Sequence, residues 1–206
     1  MTLLEALGAI VAMDTPVFTT RDVAARLRVP NAHASVSLTR LAAAGQVVRL
    51  RRGTWALPTR VDPLALPEYL TSPFPAYVSL QSALYLHGMI SQIPAMTYAV
   101  SLARARRYVT PMGTVSVHHV RPAFFFGYVE AGRGGGRLAT PEKALVDFLY
   151  LMPARSRLFR AIPEIEWPRR FSVRTARGAV ARIEPRHRRV LVARKLDDLL
   201  RTRRHP

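Results

Sequence analysis

The strongest constraint on this chain lies at residues 47–57, where Val-Val-Arg-Leu-Arg-Arg-Gly-Thr-Trp-Ala-Leu runs without a break. β-Branched, apolar and aromatic residues flank Arg51, Arg52 and Gly53, a pattern that predicts a two-stranded ribbon with a cationic turn. Gly53 supplies the backbone freedom of a tight turn, and Trp55 is placed to anchor the ribbon on a core. Two strands cannot hold themselves together in water. The ribbon must therefore lean on the segments before it.

Those segments read as three helices. Leu3, Leu4, Leu7, Ile10 and Val11 recur at helical spacing over residues 2–12. Thr19 and Asp22 form a capping box for a second helix that Val29-Pro30 ends. Asn31 is expected to cap a third helix, which Gly45 stops after Ala44. On this third helix Ala34, Leu38, Leu41 and Ala42 form one stripe, while His33, Val36, Ser37, Arg40 and Ala43 point away from it. A helix glued on one side and free on the other suits a major groove. Arg40 can donate two hydrogen bonds to guanine, Ser37 or His33 can meet a base or a phosphate, and Val36 can pack on a thymine methyl. Arg49, Arg51 and Arg52 are the ribbon's candidates for phosphate or minor-groove contact. A small helical unit used for protein contacts is the competing reading; the helix order, terminating glycine and basic ribbon together favour double-stranded DNA.

Charge supports a polyanionic partner. Lys+Arg number 31 against 13 Asp+Glu, a formal net charge of +18, which speeds encounter with nucleic acid. The excess is concentrated at both ends and is milder in the middle. Nearly all the cations are arginine, as a GC-biased coding sequence would also produce, so their positions say more than their number. The absence of cysteine removes disulfides, zinc fingers and thiol catalysis, and fits a cytoplasmic protein. No run approaches the roughly 18–20 apolar residues of a membrane span. The apolar start lacks a basic leader and carries Glu5 and Asp14, so it reads as a first helix rather than a signal peptide.

Residues 1–60 thus read as a DNA-binding unit, 61–76 as a proline-rich linker with a short helix around Leu64–Leu70, and 77–206 as a mixed α/β unit. The whole is an α+β chain. Ser79 to Gly88 predicts a helix capped by Ser79. The apolar segments 96–102, 106–109, 114–120 and 123–130 suggest a small sheet. In Leu138–Tyr150, Thr140 caps a helix, Pro141 opens it and Glu142 favours its positive end. Leu145, Phe148, Leu149 and Met152 form its buried face, with Lys143 and Asp147 expected as a modest surface pair. The basic end segment, with a last helix around Arg194–Leu200, offers Arg174, Arg177, Arg182, Arg186, Arg188 and Arg189 as a possible second basic surface. A nucleic-acid contact, a docking face for an acidic partner and a solvated face all stand open there.

Nothing in the sequence assembles a reaction. His118 and His119 are neighbours on one strand and point to opposite faces. No HExxH motif is present, and His87 reads as a packed or capping residue. Gly132, Gly134, Gly135 and Gly136 lack the GKS/T ending of a phosphate loop and read as a flexible loop. No enzyme activity, cofactor or metal is expected.

The segments TTRDVAARL, RLRRGTWAL, YVSLQSALYLHGM and LATPEKALVDFLYL, in this order, resemble the AbiEi family of bacterial antitoxins and transcriptional repressors, over approximately residues 3–200. The resemblance implies an N-terminal winged helix-turn-helix that binds inverted repeats in its own promoter. It also implies a C-terminal α/β antitoxin-type domain that counteracts a nucleotidyltransferase-type toxin. By position, His33, Ser37 and Arg40 would lie on the reading helix and Arg49, Arg51 and Arg52 on the wing. The short, strongly basic end departs from the family's pattern and leaves the division between DNA contact and toxin control open. The alternative is a winged-helix regulator with no toxin, whose second domain senses a ligand or holds an oligomer.

Overall fold

The computed structural model describes residues 2–132, 134–152 and 164–202. Helix α1 (Leu3–Val11) opens on a Thr2–Glu5 capping box. Strand β1 (Val17–Thr19) leads directly into α2 (Thr20–Leu27). The Thr19 amide donates to Asp22 at 2.7 Å, and the Asp22 amide donates back to Thr19 Oγ1 at 3.2 Å. Helix α3 covers Asn31–Ala43 and starts differently from the expectation: Asn31 lies inside the first turn, and the cap position is Pro30, which has no side chain to offer. Proline's fixed φ suits the extended approach to the helix, but it leaves the first-turn N–H groups without a side-chain acceptor.

Strands β2 (Val48–Arg51) and β3 (Thr54–Ala56) form the expected ribbon, and β1 joins it in the order β1-β3-β2. Phe18 on β1 and Trp55 on β3 sit opposite one another and face a core of Ala6, Ile10, Val23, Ala34, Leu38 and Leu41. The Trp55 indole donates to Thr20 Oγ1 at 3.0 Å, so the ribbon is fastened to the start of α2. Three helices and a three-stranded wing make a winged helix-turn-helix-like unit.

After α4 (Leu66–Thr71), the chain builds a second, six-stranded sheet. Its strands are β4 (Ala76–Val78), β5 (Thr97–Ser101), β6 (Arg106–Thr110), β7 (Gly113–His119), β8 (Tyr128–Ala131) and β9 (Gly136–Ala139). Their order is β6-β7-β5-β4-β9-β8, with β5/β7 and β4/β9 parallel and the remaining pairs antiparallel. Helices α5 (Leu80–Leu86), α6 (Pro141–Leu151), α7 (Val173–Ala181) and α8 (Arg186–Thr202) share one core with Tyr77, Tyr98 and Val100. Adjacent strand residues point to opposite faces, so Ala99, Val115 and Val117 face the other way.

Several expectations need correction here. The run 123–130 is not one strand: Pro122–Phe124 form a 3-10 turn, as Pro122 favours, and pairing begins only at Tyr128. The last helix begins at Arg186 rather than near Arg194. The glycine run joins β8 to β9 as a hairpin, so a strand stands between it and α6. Ser79 does not cap α5 with its side chain. Met152 is only partly buried beside the core.

The opposite face of the large sheet is covered by the wing. Leu50 and Ala56 of the ribbon share an apolar layer with Val61, Leu66 and Leu70 and with Ala99, Val115 and Val117 of the sheet. Residues 61–76 are therefore a packed wedge and not an open tether. Asp62 Oδ1 accepts from the Leu64 amide at 2.8 Å, and Arg51 donates to the Ser72 carbonyl at 3.2 Å. Gly136 lets β9 press against this wedge, because a Cβ there would lie 2.7–2.8 Å from the backbone of Leu64 and Ala65.

The expected surface pair Lys143/Asp147 is instead the buried polar centre of the second unit, with side chains 2% and 0% exposed. Lys143 Nζ donates to Asp147 Oδ1 and to Tyr77 Oη at 2.9 Å. Tyr77 and Ser79 hydroxyls donate to Asp147 Oδ2 at 3.0 and 2.8 Å. The ammonium lies 4.1 Å from the Phe124 ring centroid and 4.8 Å from that of Phe126. Burial pushes Lys143 down and Asp147 up from their ordinary values, and their mutual attraction opposes both shifts. Every polar atom of the pair thus has a partner, as a buried ion pair requires. Among the described residues, no helix is long and apolar enough to cross a membrane.

Two measurements check this architecture. Gly136→Ala should lower the unfolding free energy by roughly 1–3 kcal/mol through overpacking; an unchanged denaturant midpoint would contradict the close approach to Leu64 and Ala65. Lys143→Met and Asp147→Leu should each cost about 3–5 kcal/mol, while the double substitution recovers part of the loss. Additive losses in that cycle would mean that the two groups are not coupled.

Candidate nucleic-acid interface

The helix and ribbon proposed for DNA lie side by side, and their geometry follows from the core beneath them. On α3, Ala34, Leu38 and Leu41 are buried. At roughly 100° per residue the opposite arc centres on Val36, which is 51% exposed. His33 and Arg40 lie together to one side of it and are exposed, whereas Ser37 lies at the margin of the buried stripe and is half-buried. Thr39 Oγ1 donates back to the Ser35 carbonyl at 2.9 Å, so Thr39 already has a partner on its own helix.

The ribbon turn consists of Arg52 and Gly53, with Gly53 at φ +74°, a conformation that L side chains rarely adopt. The Gly53 carbonyl accepts from the Thr20 amide at 3.0 Å, which pins the tip beside α2. Arg49 lies over the Trp55 ring at 5.7 Å. Arg51 donates to Thr54 Oγ1 at 3.3 Å as well as to Ser72. Arg52 is exposed at the tip.

Between the tip and the start of α3 lies a cleft of about 870 Å³. Arg51, Arg52 and Gly53 form its wing side, Asn31, Ala32 and Ser35 its α3 side, and Arg21 belongs to the α2 side. Arg106 and Tyr108 of β6 complete the lining. Among the described residues, no carboxylate lines it. Of the sequence-derived residues, Arg51 and Arg52 line the cleft, whereas His33, Val36, Ser37 and Arg40 on α3 and Arg49 on β2 lie outside its lining. Arg21, Asn31, Ala32, Ser35, Arg106 and Tyr108 escaped sequence reasoning. Arg21 follows the cap residue immediately and was legible as a helix-start cation; Arg106 is distant in the chain and carried no such signal.

The six arginines of the possible second basic surface do not form one free patch. Arg182 stacks on Phe126 at 3.5 Å. Arg188 donates to the Tyr150 carbonyl at 3.0 Å and Arg189 to that of Ile183 at 3.1 Å. Arg177 pairs with Asp197 at 3.0 Å, while Arg174 and Arg186 are exposed. Their helices belong to the core on the sheet face away from the wing.

His87, His118 and His119 have local partners. His87 Nε2 donates to the Ala139 carbonyl at 2.7 Å. His118 shares a hydrogen bond with Ser116 Oγ, and His119 Nδ1 donates to the Ala103 carbonyl. Burial pushes His118 below its ordinary value. Among the described residues, no group of three or more His, Asp or Glu is arranged to hold a metal.

Residues 9–58 match a family described as "Transcriptional regulator, AbiEi antitoxin". The matched stretch runs from the end of α1 through β3, and so carries both helices and the ribbon that border the cleft. The N-terminal region is thus similar to an AbiEi-type regulator, and the second sheet lies outside the match. No curated protein matches the chain.

Proposed function

We propose that the N-terminal unit binds double-stranded operator DNA, with α3 in the major groove and the wing on the phosphate backbone. On this reading the chain represses its own promoter and is the antitoxin of a two-gene module whose toxin is of the nucleotidyltransferase type. The observation that carries it is the carboxylate-free, arginine-lined cleft between the wing and α3, inside the stretch similar to AbiEi-type regulators. Duplex affinity rests largely on phosphate neutralisation, and base discrimination rests on the exposed α3 side chains. Arg52 and Arg51 are assigned to the backbone, Arg40 and Val36 to base edges, and His33 to either. Arg49, held over Trp55, stiffens the ribbon and adds to its field. No catalytic group, cofactor or metal enters this reading.

A second reading has its own observation. A recess of about 350 Å³ lined by Val78, Tyr85, Leu86, Ile93 and Met96 is apolar enough to hold a small molecule. It would suit a regulator whose second unit senses a ligand and has no toxin. Growth rescue separates the two: an adjacent gene should encode a nucleotidyltransferase, and the full chain should restore growth when that gene is induced; absence of such a gene or failure to rescue favours the ligand-sensing regulator.

The DNA contact is checked by titration at fixed salt. Arg40→Ala should cost roughly 1–3 kcal/mol on the operator and relax its sequence preference. Arg51→Ala with Arg52→Ala should weaken binding to all duplexes alike and flatten the salt dependence. Unchanged affinity in both variants would remove α3 and the wing from the interface.

A further inference from the structure

Helix α1 is apolar on its outer side as well as on its buried one. Ala6 and Ile10 are buried and fix the arc that faces the N-terminal core. At roughly 100° per residue the opposite arc centres on Gly8, with Leu4, Val11 and Ala12 around it. Leu4 is 79% exposed, Gly8, Val11 and Ala12 are exposed too, and Leu7 is half-buried at the margin. A surface helix ordinarily gives this arc to charged side chains. Among the described residues, a Cβ built at Gly8 would meet nothing within 4 Å, so packing within the chain does not call for a glycine there. Glycine also weakens a helix interior relative to alanine. What it provides is a hollow between Leu4 and Val11, open to a side chain from another helix at short interaxial distance.

Electrostatics narrow the choice of that other helix. The chain carries a net charge of +18, so two copies repel each other wherever their guanidinium groups meet. Residues 1–20 contain neither Lys nor Arg, and α1 is therefore a face on which two copies can approach. The charges beside it sit at opposite ends. Glu5 is in the first turn, where Oε2 accepts from the Thr2 amide. Arg60 is at the last turn, where Nη1 donates to the Val11 carbonyl at 3.2 Å. Arg60 lies 3.7 Å from Asp14, whose side chain is fully exposed, and so weak a pair leaves the guanidinium able to meet a second carboxylate. An antiparallel copy brings its Glu5 to the end that holds Arg60. The same reversal about Gly8 sets Leu4 of each copy against Ala12 and Val11 of the other, large against small. The face is thus complementary to itself in both shape and charge.

We infer that α1 is a self-association surface: two copies of this chain pair antiparallel through Leu4, Gly8, Val11 and Ala12, with Gly8 at the two-fold axis. Such a contact is isologous, so it closes at two copies. A helix of 9 residues offers less than the roughly 800 Å² a side of a standard stable interface. The dimer is accordingly weak, and its population follows protein concentration. None of the four residues lines the cleft beside the wing, and the inference stands apart from DNA binding.

The test uses the full chain without DNA. Sedimentation equilibrium over a range of concentrations should show a reversible monomer–dimer equilibrium. Leu4→Arg removes an exposed apolar side chain, so the fold should survive, and it sets a cation on each side of the contact. The dimer should weaken by roughly tenfold or more, as when a central interface side chain is lost. Ile93→Arg makes the same charge change at another exposed apolar position, 72% exposed in the second unit, and should leave the equilibrium unchanged. The chain has no cysteine, so Gly8→Cys introduces a single thiol at a position with room for it. Under mild oxidation this variant should form a disulfide-linked dimer, because the axis sets the two thiols within bridging distance. Ile93→Cys should crosslink far more slowly. A chain that stays monomeric at every concentration would overturn the inference. So would a dimer that Leu4→Arg leaves intact or Ile93→Arg weakens equally, and so would Gly8→Cys crosslinking no faster than Ile93→Cys.

Discussion

The arrangement of this molecule depends on one apolar contact, the layer in which Leu50 and Ala56 of the wing meet Ala99, Val115 and Val117 of the large sheet. Short ribbons are unstable alone because they have only one face to bury. Here Trp55 takes one face into the helical core, and Leu50 takes the other into the sheet. Val61, Leu66 and Leu70 fill the space between, so the prolines of residues 61–76 stiffen a packed connection. The ribbon tip is consequently held twice: through the Thr20 amide on one side and through the bond from Arg51 to Ser72 of the packed connection on the other.

The second unit has a polar centre where most folds would place hydrocarbon. Asp147 accepts hydrogen bonds from Tyr77 and Ser79, so α6 is registered against β4 and the residue that precedes α5. Glu142, one turn earlier, accepts from the Ser172 amide at 2.8 Å and so positions the start of α7. Two sides of α6 thereby order strand and helix partners from distant parts of the chain. A purely apolar α6 would bury as much surface but would specify its rotation less well.

What the sequence made legible was local, and what it hid was long-range. The ribbon, the Thr19–Asp22 box and the Thr140-Pro141 helix start depend on neighbours within a few residues, and each appears as expected. Strand β1 was invisible because three residues show no period. Asn31 has the chemistry of a cap, yet Pro30 reaches that position first, and no propensity argument decides between adjacent candidates. Lys143 and Asp147 stand four residues apart whether they face water or a core; the rings that enclose them come from residues 77, 124 and 126. The same limit applies to the candidate interface. Its wing side was readable from Arg51-Arg52-Gly53, and its far wall was not, because only tertiary packing brings β6 to β2.

Strand β6 also leaves one side of its backbone unpaired, as the outermost strand of a sheet must. Such a strand can pair with its counterpart in another copy, and Val109, 76% exposed, would add adhesive surface. Arg106 and Arg107 oppose that outcome, because two antiparallel copies would bring like charges within about 5 Å of each other. The charged edge thus acts as a guard against sheet extension between molecules and helps to keep a strongly basic chain from aggregating through its own hydrogen-bonding rim.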